Sequence, residues 1–128
     1  MKEKIEKQKD IRDRAFEYAL RAIKLHQFLH KSKDQAGRLI AKQYLRSATS
    51  IGANIEEAQS GESKADFIHK CGIAQKEARE SLYWLKLLSA SGLVAKKRID
   101  PLMEETDELI AIITRIIVNT KKGLNKKV

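Results

Sequence analysis

Ala41-Lys-Gln-Tyr44-Leu-Arg-Ser-Ala48-Thr-Ser-Ile51-Gly-Ala-Asn-Ile55-Glu-Glu-Ala58 is the stretch on which the fold turns. Its apolar residues, Ala41, Tyr44, Ala48, Ile51, Ile55 and Ala58, step by three and four, so they line one face of an α-helix. The same step occurs upstream in Ala15, Tyr18, Ala22, Leu25 and Leu29, with Phe16, Leu20 and Ile23 beside the stripe and widening it. Acid precedes base by four in Asp10–Arg14 and Glu17–Arg21, which supports a helix on its solvent side. Lys31-Ser32-Lys33-Asp34 reads as a connection with Asp34 as the next N-cap. Downstream, Gly61 is expected to end the second helix in a left-handed conformation. Ser63 with Asp66 resembles a capping box for a third helix that presents Phe67, Cys71, Ala74, Ala78, Leu85 and Leu88 and closes at Gly92. Asp100-Pro101 reads as N-cap and first residue of a fourth helix. The spacing thus predicts helices at about 8–30, 35–60, 64–91 and 101–121 within one domain, 1–128, with frayed ends. Short connections favour antiparallel neighbours, giving an all-α, up-down-up-down four-helix bundle.

Composition agrees with this frame. The 128 residues are 42% hydrophobic and 34% charged, and six glycines and one proline are too few for the turns of an all-β domain. The single cysteine, Cys71, forms no intramolecular disulfide and implies no oxidising compartment. The opening MKEKIEKQKDIRDR is charged where a signal peptide needs an apolar run. The longest apolar run, Leu109 to Val118, is broken by Arg115 and falls short of the ~20 residues of a membrane span. A cytoplasmic protein without a membrane partner is expected. The first helix and segment 109–118 carry more apolar arc than one bundle core takes, which predicts a homo-oligomer.

The run Ser47 to Asn54 is unusual inside a helix, because Gly52 costs about 1 kcal/mol there relative to Ala. Ala48 and Gly52 share a face and let a neighbouring backbone approach, with Gly72 of the third helix as the expected contact and Asn54 and Ser50 bonding across the seam. A phosphate site on Gly52 competes poorly, since such a glycine belongs in a loop at a helix N-terminus. Leu45 through Ala58 (LRSATSIGANIEEA), Ser63-Lys64-Ala65-Asp66-Phe67, Ala78 through Leu85 (ARESLYWL) and Ser91-Gly92-Leu93 together resemble the 23S ribosomal RNA intervening-sequence proteins. The resemblance covers residues 38–94 closely and the flanking helices in pattern. It implies a four-helix protomer assembled as a homopentamer, with no established enzymatic activity. Related bundles are accessory proteins of diversity-generating retroelements that bind a reverse transcriptase and nucleic acid.

No catalytic constellation emerges. His26 and His30 stand one turn apart, but the intervening Gln-Phe-Leu lacks the base of a zinc protease and no third ligand is spaced to join them. Asp66–His69 has no second copy of the kind a di-iron bundle needs. Glu56/Glu57 and Glu77/Glu80 read as surface ion-pair partners, with Arg46 and Arg79 as bases that could join Glu80 at a seam. Cys71 on its apolar stripe reads as a structural thiol. A non-enzyme without metal or cofactor is expected.

The formal charge of +9 is uneven. Residues 99–114 hold five acids and no base, whereas residues 115–128 hold Arg115, Lys121, Lys122, Lys126 and Lys127 with no acid. Lys96-Lys97-Arg98 is expected in the loop before the fourth helix, at the end opposite the tail. Those eight residues are the candidate nucleic-acid contacts, and a ring would multiply them into rims that release counterions from RNA or DNA. The alternative is a protein–protein scaffold or reverse-transcriptase accessory subunit whose charge serves a protein partner.

Overall fold

The computed structural model describes residues 10–126, and among them lie four helices and no strand. The helices are α1 (Ile11–His30), α2 (Gln35–Gln59), α3 (Lys64–Ala90) and α4 (Lys96–Lys126). Cross-helix contacts run in opposite senses along each pair. Ala15 meets Gly52 while Tyr18 meets Tyr44, Gly37 meets Leu93 while Ser47 meets Ser81, and Arg14 meets Glu105 while Phe28 meets Arg98. The bundle is therefore up-down-up-down, with α4 touching α1 along less of its length than any other neighbouring pair.

Local chemistry fixes the helix starts. The Asp10 carboxylate accepts from the Arg12 backbone N–H at 2.9 Å, Asp34 from Gly37 at 2.8 Å and Ser63 from Asp66 at 3.1 Å, each satisfying a donor that the first turn leaves free. Gly92 ends α3 with φ +75°, where a Cβ would be strained. Gly61 does not adopt the expected left-handed conformation, since Gly92 alone does so among the described glycines. Its role is close approach: a Cβ there would lie 3.2 Å from the Ala58 carbonyl oxygen and 3.3 Å from the Phe67 nitrogen.

The fourth helix departs most from expectation. It starts at Lys96, so Lys96-Lys97-Arg98 forms its first turn and is not a loop, and Pro101 lies inside the helix. The reason is burial. Ile99 and Leu102 open a stripe continued by Thr106, Leu109, Ile113 and Ile117, all buried, and Ile99 joins it only if the helix precedes the proline. Lys97 is exposed, so solvent can reach the carbonyl that Pro101 leaves without a donor.

Alanines at Ala15, Ala22, Ala41, Ala48, Ala74 and Ala78 draw the helices together around Tyr18, Tyr44, Ile51, Ile55, Leu85, Leu88 and Leu109. Through this core runs a directional chain of hydroxyls. Tyr44 O–H donates to the Tyr18 hydroxyl at 3.0 Å, Tyr18 pairs with Thr106 Oγ1 at 2.6 Å, and Thr106 donates to the Leu102 carbonyl at 2.6 Å. Thr106 spends its single proton on Leu102, so Tyr18 is the donor to Thr106. Burial pushes both tyrosine pKa values well above the usual phenol range. Ser81 Oγ and Ser47 Oγ meet at 2.9 Å across α2 and α3, and Gln75 Nε2 donates to Thr114 Oγ1 at 2.6 Å across α3 and α4.

Two expectations for the small-residue stretch are corrected here. Gly52 approaches α1, not Gly72: a Cβ on Gly52 would sit 3.5 Å from the Ala15 carbonyl oxygen, whereas one on Gly72 would meet nothing within 4 Å. Asn54 Nδ2 donates to the Ser50 carbonyl and Ser50 Oγ to the Arg46 carbonyl, so both bond within α2 and neither crosses the seam. These back-bonds are the usual local alternative for polar side chains inside a helix.

Candidate nucleic-acid interface

Antiparallel topology places the α1–α2 and α3–α4 connections at one end of the bundle. That end comprises residues 24–42 and 86–102. It carries nine bases, Lys24, Lys31, Lys33, Arg38, Lys42, Lys86, Lys96, Lys97 and Arg98, against two acids, Asp34 and Asp100. All nine bases are exposed. Arg98 additionally stacks its guanidinium 3.8 Å over the Phe28 ring, which fastens the start of α4 to the last turns of α1.

The described residues of the opposite end, Lys126 aside, are balanced. Residues 10–17, 54–70 and 113–124 hold Arg12, Arg14, Lys64, Lys70, Arg115, Lys121 and Lys122 against Asp10, Asp13, Glu17, Glu56, Glu57, Glu62 and Asp66. Arg115, Lys121 and Lys122 are exposed on α4, Lys126 ends the helix, and Lys127 lies outside the described residues. The candidate residues thus divide between two ends about 46 Å apart along α4. Sequence reading paired a tail patch with a Lys96–Arg98 patch. It missed Lys24, Lys31, Lys33, Arg38, Lys42 and Lys86, which the first and third connections bring beside the latter. The signal was available, because up-down topology alone unites those two connections.

Among the hollows beside the basic end, two lie between helices. One, of about 620 Å³, lies between α1 and α2 and is lined by His26, His30, Gln35, Arg38, Leu39, Lys42 and Leu45. The other, of about 300 Å³, lies between α1 and α4 and is lined by Arg21, Lys24, Leu25, Arg98, Pro101 and Leu102. His26 and His30 stack at 5.9 Å between ring centroids.

The remaining candidate chemistry is tied into the structure. Arg46 bridges Glu77 and Glu80, whereas Arg79 is exposed on the outer face of α3. Arg14 forks onto Glu105 at 3.1 and 2.6 Å and reaches Glu108 at 2.9 Å, clamping α1 to α4. The Glu105 carboxylate holds the Arg14 guanidinium above its ordinary pKa, and the Arg12 guanidinium holds Asp10 below its own. Cys71 is buried in the core, and burial pushes its thiol up, away from thiolate reactivity. No cluster of three His, Cys, Asp or Glu residues suited to a metal ion occurs among the described residues. No helix there is long and apolar enough to cross a membrane.

One apolar surface stays open. Phe16, Leu20 and Ile23 on α1 are 65%, 46% and 39% exposed, so folding leaves the second stripe of that helix uncovered. It borders a shallow hollow that includes Ala19, Thr49, Gly52 and Ala53.

No curated protein matches the chain. A solved structure of a protein of unknown function from the S23 ribosomal protein family, from Bacteroides thetaiotaomicron, is similar at 38% identity and a TM-score of 0.79, covering 84% of this chain and 98% of that one. The family model for the 23S rRNA-intervening sequence proteins matches residues 7–115, a span that includes the whole basic end and stops short of Lys121 and Lys122. The chain belongs to the 23S rRNA-intervening sequence protein family.

Proposed function

We propose that this protein is a non-enzymatic homo-oligomeric module that binds nucleic acid, RNA foremost, through basic surfaces, and that its main contact is the end built from residues 24–42 and 86–102. The observation that carries the reading is the charge polarity of the described bundle: nine exposed bases against two acids at one end, and seven bases against seven acids over residues 10–17, 54–70 and 113–124 at the other. Folding gains nothing from collecting like charges, whereas a polyphosphate chain gains counterion release at each contact. The uncovered Phe16–Leu20–Ile23 stripe supports self-association, which would repeat the basic end around an assembly. The same stripe favours the second reading, a protein-binding scaffold or reverse-transcriptase accessory subunit.

Retardation of a single-stranded RNA titrated across salt concentrations tests the first reading. Affinity should fall steeply with salt, and Lys96→Ala/Lys97→Ala/Arg98→Ala should reduce the slope of log K against log salt by about 2. Absence of retardation at low salt, together with a clean protein absorbance spectrum after nuclease-free purification, would favour the scaffold. Phe16→Ser/Leu20→Ser should lower the oligomer mass in light scattering while leaving helicity unchanged.

A further inference from the structure

We infer that the open groove between α1 and α2 is a site for one nucleoside phosphate, either free or as a unit of a strand. The inference rests on the nucleic-acid reading and adds to it a defined place where base and phosphate are both held.

Two i,i+4 pairs face one another across this groove, His26 and His30 from α1 and Arg38 and Lys42 from α2. Four nitrogen-bearing side chains therefore line it, with no carboxylate among the lining residues. Arg38 and Lys42 are the fourth and eighth residues of α2, one turn apart on the same side of the helix. The fork of a guanidinium suits phosphate oxygens, and the Lys42 ammonium adds a second point of charge.

The site is not merely electropositive. Leu39, 62% exposed, supplies an apolar surface that continues into Leu45, itself partly buried against the core, and Gln35 places a carboxamide beside it. A nucleobase can use this combination, an apolar surface against its face and an amide at its edge. The His26 and His30 rings, within 22° of parallel, offer further ring N–H donors and π-faces on the opposite wall. The volume of about 620 Å³ falls in the range of small-molecule sites and exceeds what a bare phosphate requires. The α1–α4 groove, by contrast, is half that size.

Calorimetry with AMP, adenosine and inorganic phosphate, beside retardation of a twelve-nucleotide oligo(A) RNA, tests the site. AMP should bind at least tenfold more tightly than phosphate or adenosine. Arg38→Ala and His26→Ala/His30→Ala should each weaken AMP at least fivefold. Leu39→Ser, which leaves the charge unchanged, should weaken AMP at least threefold without altering phosphate, and Arg79→Ala should change nothing. Weakened RNA binding by Leu39→Ser without measurable AMP binding also supports the site and identifies a strand as its source. AMP held no more tightly than phosphate, with oligo(A) indifferent to Leu39→Ser, overturns the groove. If RNA then still loses affinity in the Lys96/Lys97/Arg98 variant, the nucleic-acid reading stands without it. AMP binding with no RNA binding leaves a free-nucleotide site and removes the RNA reading, whereas failure of both ligands removes both.

Discussion

Tyr18→Phe deletes one oxygen at the centre of the buried hydroxyl chain, and the wiring of that chain sets the expected damage. Tyr18 accepts from Tyr44 at 3.0 Å and donates to Thr106 at 2.6 Å, and all three side chains are fully buried. With phenylalanine at position 18, the Tyr44 hydroxyl keeps its proton and loses its acceptor, an orphaned donor that costs about 1–3 kcal/mol. The lost bond to Thr106 adds about 1 kcal/mol, for a total near 3 kcal/mol. Tyr44→Phe removes only the outermost donor, and Tyr18 retains Thr106, so it should cost about 1 kcal/mol. At this chain length a loss of 3 kcal/mol corresponds to a fall of about 12 °C in Tm. Urea unfolding at one fixed protein concentration measures the difference, because association would otherwise enter the stability. The double variant should cost less than the sum of the two singles by at least about 1 kcal/mol, since no orphaned Tyr44 hydroxyl remains in it. Equal costs for the two single variants, or strict additivity, would refute the directional chain.

Further outcomes follow from the same geometry. Burial raises both tyrosine pKa values, so the folded state keeps protons that the unfolded state releases from about pH 10 upward. Stability is therefore fully present below pH 10 and falls as pH rises beyond it, by about 1.4 kcal/mol per pH unit for each tyrosine. Urea midpoints between pH 9.5 and 11 should fall more steeply for the wild type than for Tyr18→Phe/Tyr44→Phe. Arg14→Ala releases Glu105 and Glu108 from α1 and should cost about 1.5 kcal/mol, less at high salt, as read by urea unfolding at two ionic strengths. Gly52→Ala adds a Cβ at ordinary contact distance from Ala15 and should stabilise by about 0.5–1 kcal/mol, whereas Gly52→Leu should lower Tm or oligomer mass. If Gly52→Leu changed neither, the close approach of α1 and α2 would not constrain that position.

The bundle was legible because three- and four-residue spacing is a direct image of a helix face, and Asp34 and Ser63 cap where their side chains predict. The start of α4 was not, because Asp100-Pro101 is a strong local signal overridden by burial of Ile99 one turn earlier. The partner of Gly52 depended on the rotation of α1 about its axis, which places Ala15 opposite, and periodicity gives no such rotation. Tyr18 and Tyr44 were counted as apolar positions. A buried phenol nevertheless demands a polar partner, and Thr106, at the stripe spacing of Leu102 and Leu109, was the residue that demand should have found. For the candidate interface, the charged runs were visible but their addition across two distant connections required the topology.

The first turn of α4 brings stability and function into opposition. Helix N-termini favour acids, and α1 and α3 comply with Asp13 and Asp66, yet α4 has no acid there and begins Lys96-Lys97-Arg98. Three exposed cations against the positive end of a dipole, with Lys31 and Lys33 at the same end of the bundle, disfavour the fold by about 1–2 kcal/mol at low salt. Lys96→Glu/Lys97→Glu reverses this, and should raise the urea midpoint by an amount equivalent to about 1–2 kcal/mol. In the same variant RNA affinity should fall at least tenfold, since two contacts are lost and two repulsions are introduced. A variant that is both more stable and unable to hold RNA would show that the basic turn serves a partner at the expense of the fold. A variant that gains stability and keeps its RNA would leave these lysines without a ligand, and the remaining charge of the end would have to carry the contact alone.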